Sequence, residues 1–208
     1  FYLPWLLLLL LPWSLYLPVA LAQLKLADRR RWQDLLVGQI NHDPVPLFLL
    51  LWLVVVVGFF SAAATKLPGY ILPAIPAGAL LVALGFRPFD GSAPRGMGFR
   101  LSGWVEALLL AILAGAAALA PRWAASDPAH PQFGAALAGS GLPTLLALLL
   151  ALTAAGLVVT LLGWPAGARW FALPSLAGFL AILTLVVPPL ASLIDRERQL
   201  PLRELATT

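Results

Sequence analysis

Pro46-Leu47-Phe48-Leu49-Leu50-Leu51-Trp52-Leu53-Val54-Val55-Val56-Val57-Gly58-Phe59-Phe60-Ser61-Ala62-Ala63-Ala64 contains no charged residue. A helix rising about 1.5 Å per residue needs about 20 such residues to cross a hydrocarbon core about 30 Å thick. The stretch therefore reads as a membrane span. Working outward, five more stretches meet or approach the same test: Phe1 to Ala22, Tyr70 to Phe86, Gly103 to Ala120, Leu142 to Gly163 and Trp170 to Leu190. The fold class expected is all-α, a polytopic transmembrane bundle of about six spans over residues 1–190. Residues 191–208 are read as the start of a truncated extracytoplasmic domain.

Composition agrees. Of the 208 residues, 61% are hydrophobic and 11% charged, where a soluble domain carries roughly a quarter charged residues. Mean hydropathy is +0.93. The absence of cysteine excludes a disulfide scaffold, thiolate metal sites and a cysteine nucleophile. A net charge of +4 does not indicate a nucleic-acid partner, because the 13 Lys and Arg fall in short clusters between apolar runs. The chain opens on Phe1 and enters an apolar segment at once, so it reads as a fragment. A signal peptide is the alternative for the first span, but neither a basic start nor a small-residue cleavage site accompanies it.

Cytoplasmic loops retain Lys and Arg. Lys25, Arg29, Arg30, Arg31, Arg87, Arg95, Arg100 and Arg169 fall in one set of loops, and only Lys66 and Arg122 in the other. This bias places the first set in the cytoplasm and both chain ends outside. Arg196, Arg198 and Arg203 in the tail run mildly against it, unless a long translocated domain follows. Asp43 and Pro44 read as a cap and first-turn proline of the second span. Trp104, Trp123, Trp164 and Trp170 sit where headgroup-level tryptophans belong. Pro188-Pro189 is expected to close the last span.

Chemistry-bearing residues are few. In Ser61-Ala62-Ala63-Ala64-Thr65-Lys66-Leu67-Pro68-Gly69-Tyr70-Ile71-Leu72-Pro73-Ala74-Ile75-Pro76, the second span ends and the chain re-enters the membrane. Lys66 is the only cation of its loop. An ammonium at headgroup level, beside the Tyr70 hydroxyl and a proline-broken helix start, suits a phosphate. The structural alternative is a snorkelling lysine and a belt tyrosine. Glu106 is read as a first-turn carboxylate stabilised by the helix dipole, and Asp127 as a cap or turn residue. His42 and His130 lie in loops on opposite faces, so no metal site is expected. Arg29-Arg30-Arg31 sets topology and meets anionic lipid headgroups.

Phe-Ser followed by Lys66-Leu67-Pro68-Gly69-Tyr70-Ile71-Leu72-Pro73-Ala74-Ile75-Pro76 resembles a segment of bacterial integral-membrane GT-C glycosyltransferases of the aminoarabinose transferase kind, relatives of the protein mannosyltransferases. Phe1-Tyr2-Leu3-Pro4 leading to Leu11-Pro12-Trp13-Ser14 is similar to that family's "FYxP…PWS" helix, and Asp195 to Ala206 to the start of a soluble domain in some members. Gly69 stands where some members carry threonine. Between about Gly91 and Gly167 the likeness is in hydropathy alone.

The resemblance implies a multi-pass enzyme of the bacterial inner membrane. It would move a sugar from a polyprenyl-phosphate carrier to a lipid or protein acceptor on the outer face, in modification of envelope lipopolysaccharide. The family's catalytic carboxylate lies in a first outer loop, upstream of these residues. What carries over is the carrier-phosphate side: Lys66 and Tyr70, with Ser61 as a further candidate. No cofactor is evident, and a divalent metal in the full-length enzyme is left open. Partners expected are the lipid-linked sugar, the acceptor and membrane lipids, and no nucleic acid. Two rivals from other classes are a transporter or flippase segment, whose interrupted third span would mark a substrate site, and a purely structural module for residues 103–190.

Overall fold

A computed structural model describes residues 1–24, 44–86, 96–126, 132–164 and 170–196. Expectations for Lys25, Arg29 to Arg31, His42, Asp43, Arg87, Arg95, Asp127, His130, Arg169 and the tail beyond Arg196 lie outside the described residues. Among those described the structure is helical, with α1 (Tyr2–Leu9), α2 (Leu17–Gln23), α3 (Val45–Ala62), α4 (Ile75–Gly85), α5 (Met97–Ala125), α6 (Phe133–Gly139), α7 (Leu142–Leu162), α8 (Ala172–Leu185) and α9 (Val187–Ile194). Short 3-10 segments, Trp13–Tyr16 and Pro68–Ala74, precede α2 and α4. Five helices, or six if the bent first pair counts as one, are long and apolar enough to cross a membrane. Side chains such as Phe59, Val159 and Leu162 are about 70% exposed. Rows of bare apolar side chains at that scale belong against lipid rather than water.

The chain divides into two units, Phe1–Ser102 and Gly103–Thr208. In the first, the expected opening span is broken. The segments Tyr2–Leu9 and Trp13–Ala22 meet at 108°. Pro12 has no N–H to continue α1 and its ring crowds the preceding turn, while Pro18 falls in the first turn of α2, where a missing donor costs nothing. The freed backbone is satisfied within the protein: Ser14 N–H donates to Leu10 O at 2.9 Å, and Ser102 Oγ donates to Leu15 O at 2.9 Å.

Aromatic contacts mark the two ends of this unit. Tyr2 and Phe60 have ring centroids 6.4 Å apart, and Phe60 stacks on Tyr70 at 5.3 Å. At the other end Tyr16, Phe86 and Phe99 pack mutually at 4.9 to 5.0 Å. Between them Leu10 lies against Gly78, where an added Cβ would come within 2.6 Å of its Cδ1. The third span enters through a 3-10 turn, in which Pro73 lacks an N–H, and becomes α-helical only from Ile75.

In the second unit, α7 and α8 pack closely through small residues: a Cβ on Gly156 would lie 3.0 Å from Pro174, and Gly178 faces Thr153. The turn into α7 depends on Gly141, whose φ of +69° disfavours any residue with a Cβ, and Ser140 Oγ accepts from Leu142 N–H at 3.2 Å. Pro188-Pro189 does not close the last span. After a break at Val186 both prolines fall at the start of α9, and the helix continues to Ile194.

Which end of the first unit faces outward is open to labelling, because the chain has no cysteine of its own. A single cysteine placed at position 66 is expected to react with a membrane-impermeant maleimide in intact cells. One placed at 95 should react only after permeabilisation; the reverse pattern would invert the orientation.

Candidate functional site

The last turn of α3 gathers the residues singled out in the sequence. α3 ends at Ala62, Ala63 turns extended with ψ of 143°, and the 3-10 segment from Pro68 returns the chain. Lys66, Tyr70 and Ser61 are all exposed. Lys66 Nζ donates to the backbone carbonyl of Ser61 at 3.0 Å. That carbonyl lies in the final turn of α3, where acceptors have no intrahelical partner and the helix end carries partial negative charge. The bond thus holds the ammonium at the helix end and occupies one of its three donors. Among the described residues no carboxylate pairs with Lys66, so its charge stays available to an anion from outside.

Tyr70 joins the site through its ring, which lies 29° from parallel on Phe60. The residue as a whole is 36% exposed. Ser61 enters through its main chain: its carbonyl, not its hydroxyl, meets Lys66. Gly69 has open space where a Cβ would point, so the threonine seen in the resembled family would fit there. The sequence missed one member of this corner, Tyr2, which is fully buried beside Phe60. A tyrosine opening an apolar helix looks like any belt residue, and only the fold brings it to Phe60.

Glu106 corrects an expectation. It is not in the first turn of its helix, because α5 begins at Met97, nine residues earlier. It lies in the second unit, 1% exposed, and its Oε1 accepts from Ser175 Oγ at 2.7 Å. An isolated buried carboxylate would be costly, and the hydrogen bond between α5 and α8 offsets part of that. The same unit holds a small cavity of about 100 Å³, lined wholly by apolar side chains including Ala117, Leu137, Leu146 and Val186. It offers nothing to bind a polar substrate.

The third span is not alone in being interrupted, since the first is broken at Pro12. Two broken spans are what a transporter would show. At the first break, however, the carbonyls of Leu8, Leu10, Pro12 and Leu15 are bonded to the protein itself.

The helices and their lipid-facing surface define a polytopic membrane protein, with one cationic corner at the end of α3. No family model matches the chain, and no solved structure matches it. Curated relatives do. The undecaprenyl phosphate-alpha-4-amino-4-deoxy-L-arabinose arabinosyl transferase of Pseudomonas paraeruginosa is 39% identical over 118 residues, which is 55% of this chain and 19% of that protein. Proteins of the same name from Aeromonas salmonicida and Edwardsiella ictaluri are each 37% identical, over 136 and 139 residues, or 64% and 65% of this chain and 21% and 22% of theirs. The chain is thus homologous to part of these membrane glycosyltransferases, as the Lys66 to Pro76 motif led us to expect. It spans about a fifth of the length of the curated relatives it matches.

Proposed function

We propose that this chain is the carrier-binding membrane portion of an inner-membrane glycosyltransferase. The enzyme moves an aminopentose of the 4-amino-4-deoxy-arabinose type from a polyprenyl phosphate to a lipid or protein acceptor on the outer face. The names of the relatives support the donor and the sugar, and Lys66 supports the placement of the carrier. In the reaction an acceptor oxygen attacks the anomeric carbon while the bond from that carbon to the carrier phosphate breaks. Negative charge grows on the departing phosphate, and a fixed cation stabilises it more in the transition state than in the ground state. Lys66 supplies that cation, with the Tyr70 hydroxyl as a neighbouring donor.

The observation that carries this reading is the ammonium of Lys66, fixed at the end of a span with donors to spare and no described carboxylate beside it. Purified full-length protein, given a polyprenyl-phosphate-linked aminopentose and a lipid acceptor, is expected to release carrier phosphate and glycosylated acceptor in equal amounts. Transfer from a nucleotide-linked sugar instead, or movement of the lipid-linked sugar across a bilayer without transfer, would contradict it.

A further inference from the structure

Tyr2 is 0% exposed, and its hydroxyl is the buried side-chain oxygen for which no hydrogen-bond partner is found among the described residues. Native proteins rarely leave such a group unpaired, and each case calls for an explanation. Its position supplies one. The Tyr2 ring packs on Phe60, Phe60 stacks on Tyr70, and the residue after Phe60 holds the Lys66 ammonium by its carbonyl. The ring that carries an unpaired donor and the side chain that carries an unneutralised cation therefore both touch the last turn of α3. The acceptor that answers both is an anion with several oxygens, and at the end of a membrane span the chemistry is a phosphate ester on a lipid.

We infer that the Tyr2 hydroxyl is a further binding group for the lipid-linked phosphate, donating from α1 while Lys66 approaches from the loop after α3. This rests on the carrier-phosphate reading of Lys66. Phe1 packs edge-on against the Tyr2 ring at 5.0 Å, and Phe60 lies on it at 6.4 Å. For a phosphate to reach the hydroxyl, a side chain packed against Tyr2 must turn aside, as rotamer changes at a bundle's surface allow.

Tyr2→Phe removes the hydroxyl and keeps the ring. In full-length protein, binding of farnesyl phosphate is expected to weaken about tenfold or more in Tyr2→Phe, as for loss of a hydrogen bond to a charged group, and also in Lys66→Ala. Binding of farnesol should change in neither. Phosphatidic acid, titrated in parallel, separates the sources: a loss shared by both lipids supports a site for any lipid phosphate, and a loss confined to farnesyl phosphate supports a carrier site. Ligand-free Tyr2→Phe should melt at or above the wild type.

Unchanged affinity in Tyr2→Phe beside weakened Lys66→Ala overturns the role of Tyr2 alone. Unchanged affinity in both overturns the phosphate reading beneath it. A lower melting temperature for ligand-free Tyr2→Phe also overturns the inference, because the hydroxyl then has a partner elsewhere in the full-length protein.

Discussion

Lys66→Ala in the full-length protein is expected to lower kcat/KM for sugar transfer by about ten- to a thousand-fold, with expression and melting temperature near wild type. The range follows from Coulomb's law. Unit charges about 4 Å apart attract by about 1 kcal/mol in bulk water and about 4 kcal/mol at the effective dielectric of a protein surface. Each 1.4 kcal/mol or so is a factor of ten in rate. A bound lipid phosphate at the end of α3 is partly removed from water, so the upper part of the range applies as charge accumulates on the leaving group. Stability should hold, because the side chain is exposed and makes one hydrogen bond, to a carbonyl that water can serve equally well. Lys66→Arg should retain part of the activity, since it keeps the charge but changes its shape. Transfer by Lys66→Ala at the wild-type rate would remove Lys66 from the mechanism.

Gly178→Leu is expected to lower the melting temperature in detergent by about 2 to 12 °C, the equivalent of about 1–3 kcal/mol of overpacking in a protein of this size. A Cβ at this position would lie 3.0 Å from both Cβ and Cγ2 of Thr153, and closer still to Thr153 Oγ1. The threonine cannot turn away freely, because that hydroxyl donates to Leu149 O at 2.8 Å. Between membrane helices lipid is as apolar as the side chains, so close approach through small residues is what holds α7 to α8. Gly115→Ala makes the contrast. Nothing lies within 4 Å of its added Cβ, and alanine favours helix over glycine by about 1 kcal/mol, so its melting temperature should equal or exceed the wild type. Equal melting of Gly178→Leu and wild type would contradict the α7 and α8 packing.

The helical membrane fold was legible because one constraint dominates: backbone polar groups in hydrocarbon must bond within their own helix. Hydropathy alone therefore locates α3 and α7. The finer errors share a cause. A hydropathy window sees the lipid-crossing core, not the helix that continues beyond it, so α5 was read from Gly103 although it begins at Met97 and Glu106 was put a turn and more too early. In the leucine-rich opening segment the apolar signal hid the break that Pro12 imposes. Prolines 188 and 189 have the residue type of terminators, yet they start a helix. At the site, Lys66 stood out because only Lys66 and Arg122 fall in its set of loops. Tyr2 did not, because burial and a missing partner are properties of packing.

Photocrosslinking from position 70 tests most directly whether this corner holds the carrier. Full-length protein with p-benzoylphenylalanine in place of Tyr70 is irradiated with radiolabelled farnesyl phosphate. The same probe in place of Phe48, at the opposite end of α3 and about 18 Å along its axis from Phe60, serves as control. Label at 70 that exceeds label at 48, is displaced by unlabelled farnesyl phosphate but not by farnesol, and disappears with Lys66→Ala is the result expected. Equal labelling at both positions, or labelling at 70 indifferent to Lys66→Ala, would show that the phosphate is held elsewhere.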